Sequence, residues 1–216
     1  MSPLNQMGIL AFTLLFCSYG STQNCALSGS IAWSEQLRTV IAGCELKISS
    51  PDESVAVEFD RDGRLTLFKA GDVFKALPYQ IEAPAMFSWS PKSDEFFVND
   101  GQGSGMSSTF RLFQIHAAQV TENRAAESQA ASIYRKRKRC APSAADPNVW
   151  GLGWSEDSST IYLLVQTTVN EPCGEPGSFM SMNVSASSGE VERVFSETET
   201  MNRFAALLPP ELRKRK

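Results

Sequence analysis

The sequence predicts an all-β protein, a small or incomplete β-propeller-like array of antiparallel blades, with a β-sandwich as the alternative. Three observations predict it. Apolar residues make up 42% of the 216 residues, which suits a globular core rather than a disordered or multi-span membrane chain. A Ser-led polar turn that runs into an apolar strand occurs three times. Each copy is followed by a further strand-like run, as hairpins require.

In the first copy, Ser50-Pro51-Asp52-Glu53-Ser54 is followed by VAVEF, and RLTLFKAG follows. In the second, Trp89-Ser90-Pro91-Lys92-Ser93-Asp94 runs into EFFVND, and then TFRLFQI. In the third, Trp154-Ser155-Glu156-Asp157-Ser158-Ser159 runs into TIYLLVQ, and then FMSMNVSASSG. Ser, Pro, Asp and Gly supply turn dihedrals, while β-branched and aromatic residues suit a pleated surface. Asp62-Gly63 reads as a two-residue hairpin turn. The offset from Ser50 to Ser90 is 40 residues, and from Ser90 to Ser155 it is 65. A period near 40 with several strands per unit is propeller-like. The longer second offset implies an insertion over residues 117–148, an Ala/Ser-rich stretch with few strand formers.

WSPKSDEFFVND and WSEDSSTIYLLVQ resemble the Trp-Ser-Pro-Asp-Gly unit of TolB-like β-propeller repeats, a WD-like repeat architecture. The resemblance implies that Trp89 and Trp154 pack in the core, with Ser49 in the Trp position of the first copy. It implies a binding platform or a domain attached to a peptidase, and names no activity. A closed propeller needs four or more blades. Three units therefore predict a small four-bladed ring, an open fragment, or a ring completed by association. Residues 31–48, where Trp33-Ser34-Glu35 echoes the third copy, are candidates for added inner or outer strands. Open strand edges are normally covered, so terminal strands or a partner are expected to do so.

Residues 1–20 read as a signal peptide, because MGILAFTLLFC (7–17) is apolar but too short to span a bilayer. No Lys or Arg precedes that run. A lipoprotein anchored at Cys17 is disfavoured, because the large Phe16 stands just before it. The mature chain then has no transmembrane segment and is periplasmic or secreted. Cys25, Cys44, Cys140 and Cys173 remain, an even number that suggests two disulfides with three connectivities. Sequence proximity favours Cys25–Cys44 and Cys140–Cys173. The propeller-like domain is expected over 21–208, and residues 209–216 read as a basic mobile tail after Pro209-Pro210.

The formal net charge is −4, but Arg135, Lys136, Arg137, Lys138, Arg139 and the terminal Arg213-Lys214-Arg215-Lys216 hold nine of the 20 cations. The remaining body has 11 basic against 24 acidic residues, which repels nucleic acid. Tyr134 is the only aromatic beside the first cluster, so a base-stacking pattern is missing. Arg135, Lys136, Arg137, Lys138 and Arg139 are the candidate binding surface, for an anionic lipid headgroup, a polysaccharide or an acidic protein.

Catalytic signatures are sparse. His116 is the only histidine, and the chain has no Gly-x-Ser-x-Gly elbow and no Ser-x-x-Lys. A hydrolase would have to use His116 with Asp94 or Asp100, the weakest alternative. Asp60-Arg61-Asp62-Gly63 lacks the further ligands of a calcium loop, and GQGSGMSS (101–108) lacks the Lys-Ser/Thr of a phosphate loop. Asn183-Val184-Ser185 is a glycosylation sequon. The expectation is an exported, non-enzymatic binding module without metal or cofactor. Its partner is an unknown protein or envelope component, with self-association through open sheet edges as a further route.

Overall fold

The computed structural model describes residues 33–101, 107–117, 119–167 and 172–213. The expected signal segment, Cys17 and Cys25 lie outside them. The strands are β1 (Arg38–Val40), β2 (Leu46–Ser49), β3 (Val55–Phe59), β4 (Arg64–Lys69), β5 (Asp72–Gln80), β6 (Ala85–Trp89), β7 (Glu95–Asp100), β8 (Thr109–His116) and β9 (Gln119–Asn123). Helix α1 (Ala125–Lys138) follows, then β10 (Asn148–Trp154), β11 (Thr160–Gln166), β12 (Phe179–Ser185) and β13 (Val191–Phe195). Helices α2 (Glu197–Phe204) and α3 (Pro210–Arg213) come last.

The strands form three antiparallel sheets, none closed on itself. Their orders are β2-β3-β4-β5, β1-β6-β7-β8-β9 and β10-β11-β12-β13. Each therefore contains a four-stranded meander, and the all-β expectation holds. The second sheet carries β1 as an extra strand on the edge of β6.

The three Ser-led turns share one backbone and serine hydrogen-bond pattern. Ser50 N donates to Val55 O at 2.7 Å, Ser90 N to Glu95 O at 2.8 Å and Ser155 N to Thr160 O at 2.9 Å. The leading hydroxyl accepts from the amide five residues on, Val55, Glu95 and Thr160, at 3.1, 3.1 and 3.0 Å. The same hydroxyl donates to a turn carboxylate: Ser50 to Asp52, Ser90 to Asp94 and Ser155 to Asp157. Lys92 holds the acidic position in the second turn, and Asp94, two residues later, takes over the contact. Hydrogen bonds from Ser50 and Ser54, and from Ser155 and Ser159, hold the carboxyls of Asp52 and Asp157 below the usual carboxylate range.

The fourth turn position has φ of 59°, 66° and 61° at Glu53, Ser93 and Ser158. Glycine is favoured there because it lacks a Cβ. Two serines stand there instead, and their hydroxyls link one turn to the next. Asp52 N donates to Ser93 Oγ at 3.1 Å, and Lys92 N donates to Ser158 Oγ at 3.0 Å. The turns thus form a row in chain order.

The second sheet is buried on both faces, which explains why Phe96, Phe97 and Val98 stand together in β7 without alternation. Alternate residues point opposite ways along a strand. Phe87, Phe96, Val98 and Phe113 pack with Val57, Phe59, Leu65 and Leu67 of the first sheet. Met86, Phe97, Phe110 and Leu112 pack with Leu163, Val165, Met182 and Val184 of the third. Trp154 is buried and stacks on Phe97 at 5.5 Å. Trp89 is half-buried, packs edge-on against Phe96 and Phe87, and donates from its indole to Ile48 O. Asn99 ties the second sheet to the third: its amide donates to Gly151 O at 2.9 Å and accepts from Gly151 N at 2.6 Å.

The outer face of the third sheet is covered. Phe204, Leu208 and Leu212 from α2 and its C-terminal continuation bury Leu164, Phe179 and Phe195. Ser196 starts α2 with a capping box closed by Glu199. The outer face of the first sheet is polar, with Lys47, Glu58 and Thr66 in register and Lys47 lying 4.3 Å over Phe68.

Residues 33–40 lie along the β6 and β10 edges. β1 pairs with β6 through Arg38↔Phe87, Thr39↔Met86 and Val40↔Ala85. Leu37 is buried between the second and third sheets. Gln36 Oε1 accepts from Trp154 N at 2.8 Å, and Trp33 meets Trp150 edge-on.

Three expectations need correction. The Asp62-Gly63 turn is not a two-residue loop: Asp60 N pairs with Arg64 O, leaving three loop residues, with Gly63 at φ 81°. The insertion expected over 117–148 does not fill that stretch, because β9, near its start, completes the second sheet before α1 begins. Residues 209–213 are not a loose tail: Leu212 is buried and the Arg213 guanidinium is held by the carbonyls of Leu208, Ala206 and Trp33. Residues 214–216 lie outside the described residues.

Candidate functional site

The basic run is the C-terminal end of a helix. Ala126, Ala130 and Tyr134 recur at four-residue spacing and are buried against the second and third sheets. Tyr134 is fully buried, and its hydroxyl donates to Ser178 O at 2.8 Å. Arg135, Lys136, Arg137 and Lys138 occupy the last turn, where cations complement the helix dipole. Arg139 closes the helix in the left-handed conformation, and Cys140 N bonds Arg135 O at 3.0 Å.

The five cations divide by role. Arg135 is a clamp: its guanidinium reaches the carbonyls of Ala144 at 2.7 Å, Ala145 at 3.1 Å and Ala141 at 3.2 Å, and the carboxylate of Asp146 at 3.4 Å. Lys138 is half-buried and lies against Gly174. Lys136, Arg137 and Arg139 are exposed, and no ion pair from them occurs among the described residues. The Cys140–Cys173 disulfide fixes this end of α1, and Ala141 N adds a bond to Pro172 O at 2.9 Å. Cys44 is also disulfide-bonded; its expected partner, Cys25, lies outside the described residues.

His116 ends β8, exposed. Asp100 pairs with Thr109 at the opposite end of the same ladder, seven residues away, or roughly 23 Å at strand rise. Asp94 lies near His116, but its carboxylate accepts the Ser90 hydroxyl at 3.0 Å. Glu95 is buried beside them; burial raises its pKa, partly opposed by the Gln114 amide at 2.9 Å. The structure therefore separates His116 from Asp100 and commits Asp94 to the turn.

Asp60 Oδ1 accepts from Asp62 N and Arg64 N, both at 2.9 Å, so this segment is a side-chain-stabilised turn. Among the described residues no group of three or more His, Cys, Asp or Glu side chains is placed to hold a metal. Asn183 lies within β12, paired on both sides, with its side-chain oxygen buried. Most of the Gly-rich loop, residues 102–106, lies outside the described residues. Also among the described residues, no helix is long and apolar enough to cross a membrane.

Sequence reasoning located the cationic run but missed the separate job of Arg135. The available signal was the spacing of Ala126, Ala130 and Tyr134, which fixes a helix and places Arg135 beside its buried stripe. No family model matches the chain, and no curated protein matches it in sequence.

Proposed function

We propose that the protein is an exported, non-enzymatic interaction module, built as an incomplete propeller-like array and holding an anionic envelope surface through the end of α1. The row of Ser-led turns supports the radial reading. Equivalent turns of successive blades meet around an axis, and Asp52–Ser93 and Lys92–Ser158 are contacts of that kind. The Cys140–Cys173 bond is compatible with an oxidising compartment.

The observation that carries the functional reading is the pinning of three exposed cations. Lys136, Arg137 and Arg139 stand on a helix end fixed by a disulfide and by the Arg135 clamp. Cations on a fixed helix end lose less backbone freedom on binding than cations on a floppy tail. Each cation near an anionic leaflet contributes about 1 kcal/mol, and salt screens the attraction.

Co-sedimentation of the full chain with phosphatidylcholine vesicles, with and without phosphatidylglycerol, tests this. Binding should require the anionic lipid and weaken with salt. The Lys136→Ser/Arg137→Ser/Arg139→Ser variant should bind about a hundredfold more weakly, from about 1 kcal/mol per charge. Equal binding by the variant would reject the reading.

A further inference from the structure

A cavity of about 860 Å³ opens beside residues 33–39, distant in sequence from the cationic end of α1. Its walls come from that segment, from Leu46 of β2, and from Ala206, Leu207 and Arg213 near the C-terminal helices. The volume suits a small ligand or a few residues of peptide.

Two arginines line it. Arg38 Nη1 donates to Glu35 O at 3.1 Å and Leu37 O at 3.4 Å. Arg213 Nε donates to Leu208 O at 2.7 Å, and its Nη2 donates to Ala206 O at 3.0 Å and to Trp33 O, which leaves Nη1 for a ligand. Carbonyls orient both guanidinium groups without neutralising them, and neither forms an ion pair with a carboxylate among the described residues. Two oriented guanidinium groups against the single carboxylate of Glu35 leave the cavity net positive, and their remaining N–H groups match a carboxylate.

The rest of the lining selects among carboxylates. Trp33, Leu46 and Leu207 give apolar wall, which suits an apolar side chain. Glu35 adds one negative charge, which disfavours a polyanion and accepts from an N–H donor. Among the described residues β1 pairs only with β6, and β2 only with β3, so each presents one edge outside these ladders. Such edges offer backbone partners to an extended chain.

We propose that this cavity binds the C-terminal end of a short, extended peptide, with Arg38 and Arg213 holding its free carboxylate. Apolar side chains of the peptide lie against Trp33, Leu46 and Leu207, and Glu35 receives a donor from its backbone or amino end. This site is separate from the α1 surface and does not depend on it.

Calorimetric titration of the full chain with the tripeptide Ala-Leu-Leu and with its C-terminal amide tests the proposal. The free acid should bind, and the amide should bind at least about tenfold more weakly, the effect of losing charge-assisted bonds. Arg38→Gln should weaken the acid about tenfold and leave the amide unchanged. Equal binding of acid and amide, or no heat from either at millimolar peptide, overturns the proposal. The acid–amide comparison uses the unaltered chain, so it decides the matter even if Arg38→Gln melts early. The Lys136→Ser/Arg137→Ser/Arg139→Ser variant should bind the acid as the unaltered chain does. Loss of peptide binding in that variant would move the carboxylate to α1 and also overturn the proposal.

Discussion

Ser90 is fully buried, and its hydroxyl both accepts from Glu95 N and donates to Asp94. Removing it leaves an amide without its side-chain acceptor, which costs about 1–3 kcal/mol. Ser90→Ala should therefore lower the urea midpoint by that amount of stability, with an unchanged slope. Glu95, next to it in the same turn, acts in the opposite direction. Burial raises its pKa above the ordinary 4.5, so the folded chain holds this proton more tightly than the unfolded chain. Its contribution is most favourable below pH 4.5 and declines as pH rises through the folded value. Glu95→Gln keeps an oxygen for Gln114 and removes the titration. It should be more stable than the parent at pH 7, with a smaller loss of stability above pH 4.5 in a melting series. A parent that gains stability relative to the variant over that range would contradict the assignment. The leading serines were legible because Ser followed by Pro or Asp and a further Ser is turn chemistry wherever it stands. The link made by Ser93 and Ser158 was not, because its partners lie 41 and 66 residues away and become neighbours only when the sheets pack.

At the scale of elements, strands with repeated turns were readable and the helix between them was not. VAVEF, EFFVND and TIYLLVQ lie on β3, β7 and β11, the second strand of each meander. Helix α1 buries only the narrow stripe of Ala126, Ala130 and Tyr134, and small alanines hide an amphipathic pattern. The charge run at its end also suggests solvation rather than order. The Cys140–Cys173 bond, favoured by sequence proximity, is present and anchors that end. It closes a loop of sequence separation 33, for which chain entropy gives about 3–4 kcal/mol. Replacing both cysteines by serine should remove that much stability and release the α1 C-terminus to faster amide exchange from Arg135 onward. Packing between sheets makes a sharper demand at Gly151. A Cβ there would come within 2.6 Å of Phe97 and 2.8 Å of Phe110. Gly151→Ala should cost about 1–3 kcal/mol through overpacking, read as a lower melting temperature.

At the scale of the molecule, the second sheet is the centre, buried on both faces by its neighbours. The ends of the stack differ. α2 and the residues after it cover the third sheet, and the file Lys47, Glu58 and Thr66 faces outward on the first. Strand edges are blunted as well, with Lys75 and Pro78 on β5 and Glu192 and Arg193 on β13. The sequence carried enough turn and strand signal to suggest three units. It carried no signal for how many neighbours each unit has, because that depends on contacts between turns far apart in the chain.

Amide hydrogen exchange at the three turns tests that arrangement most directly. The third-position amides of Asp52 and Lys92 donate to serine hydroxyls of the following turn, while Asp157 N has no such partner among the described residues. Asp52 and Lys92 should be protected and Asp157 should exchange fast. Ser93→Gly, which suits the positive φ, should release Asp52 alone, and Ser158→Gly should release Lys92 alone. Equal exchange at all three positions, unaffected by either substitution, would show that the turns do not form a row and would contradict the account.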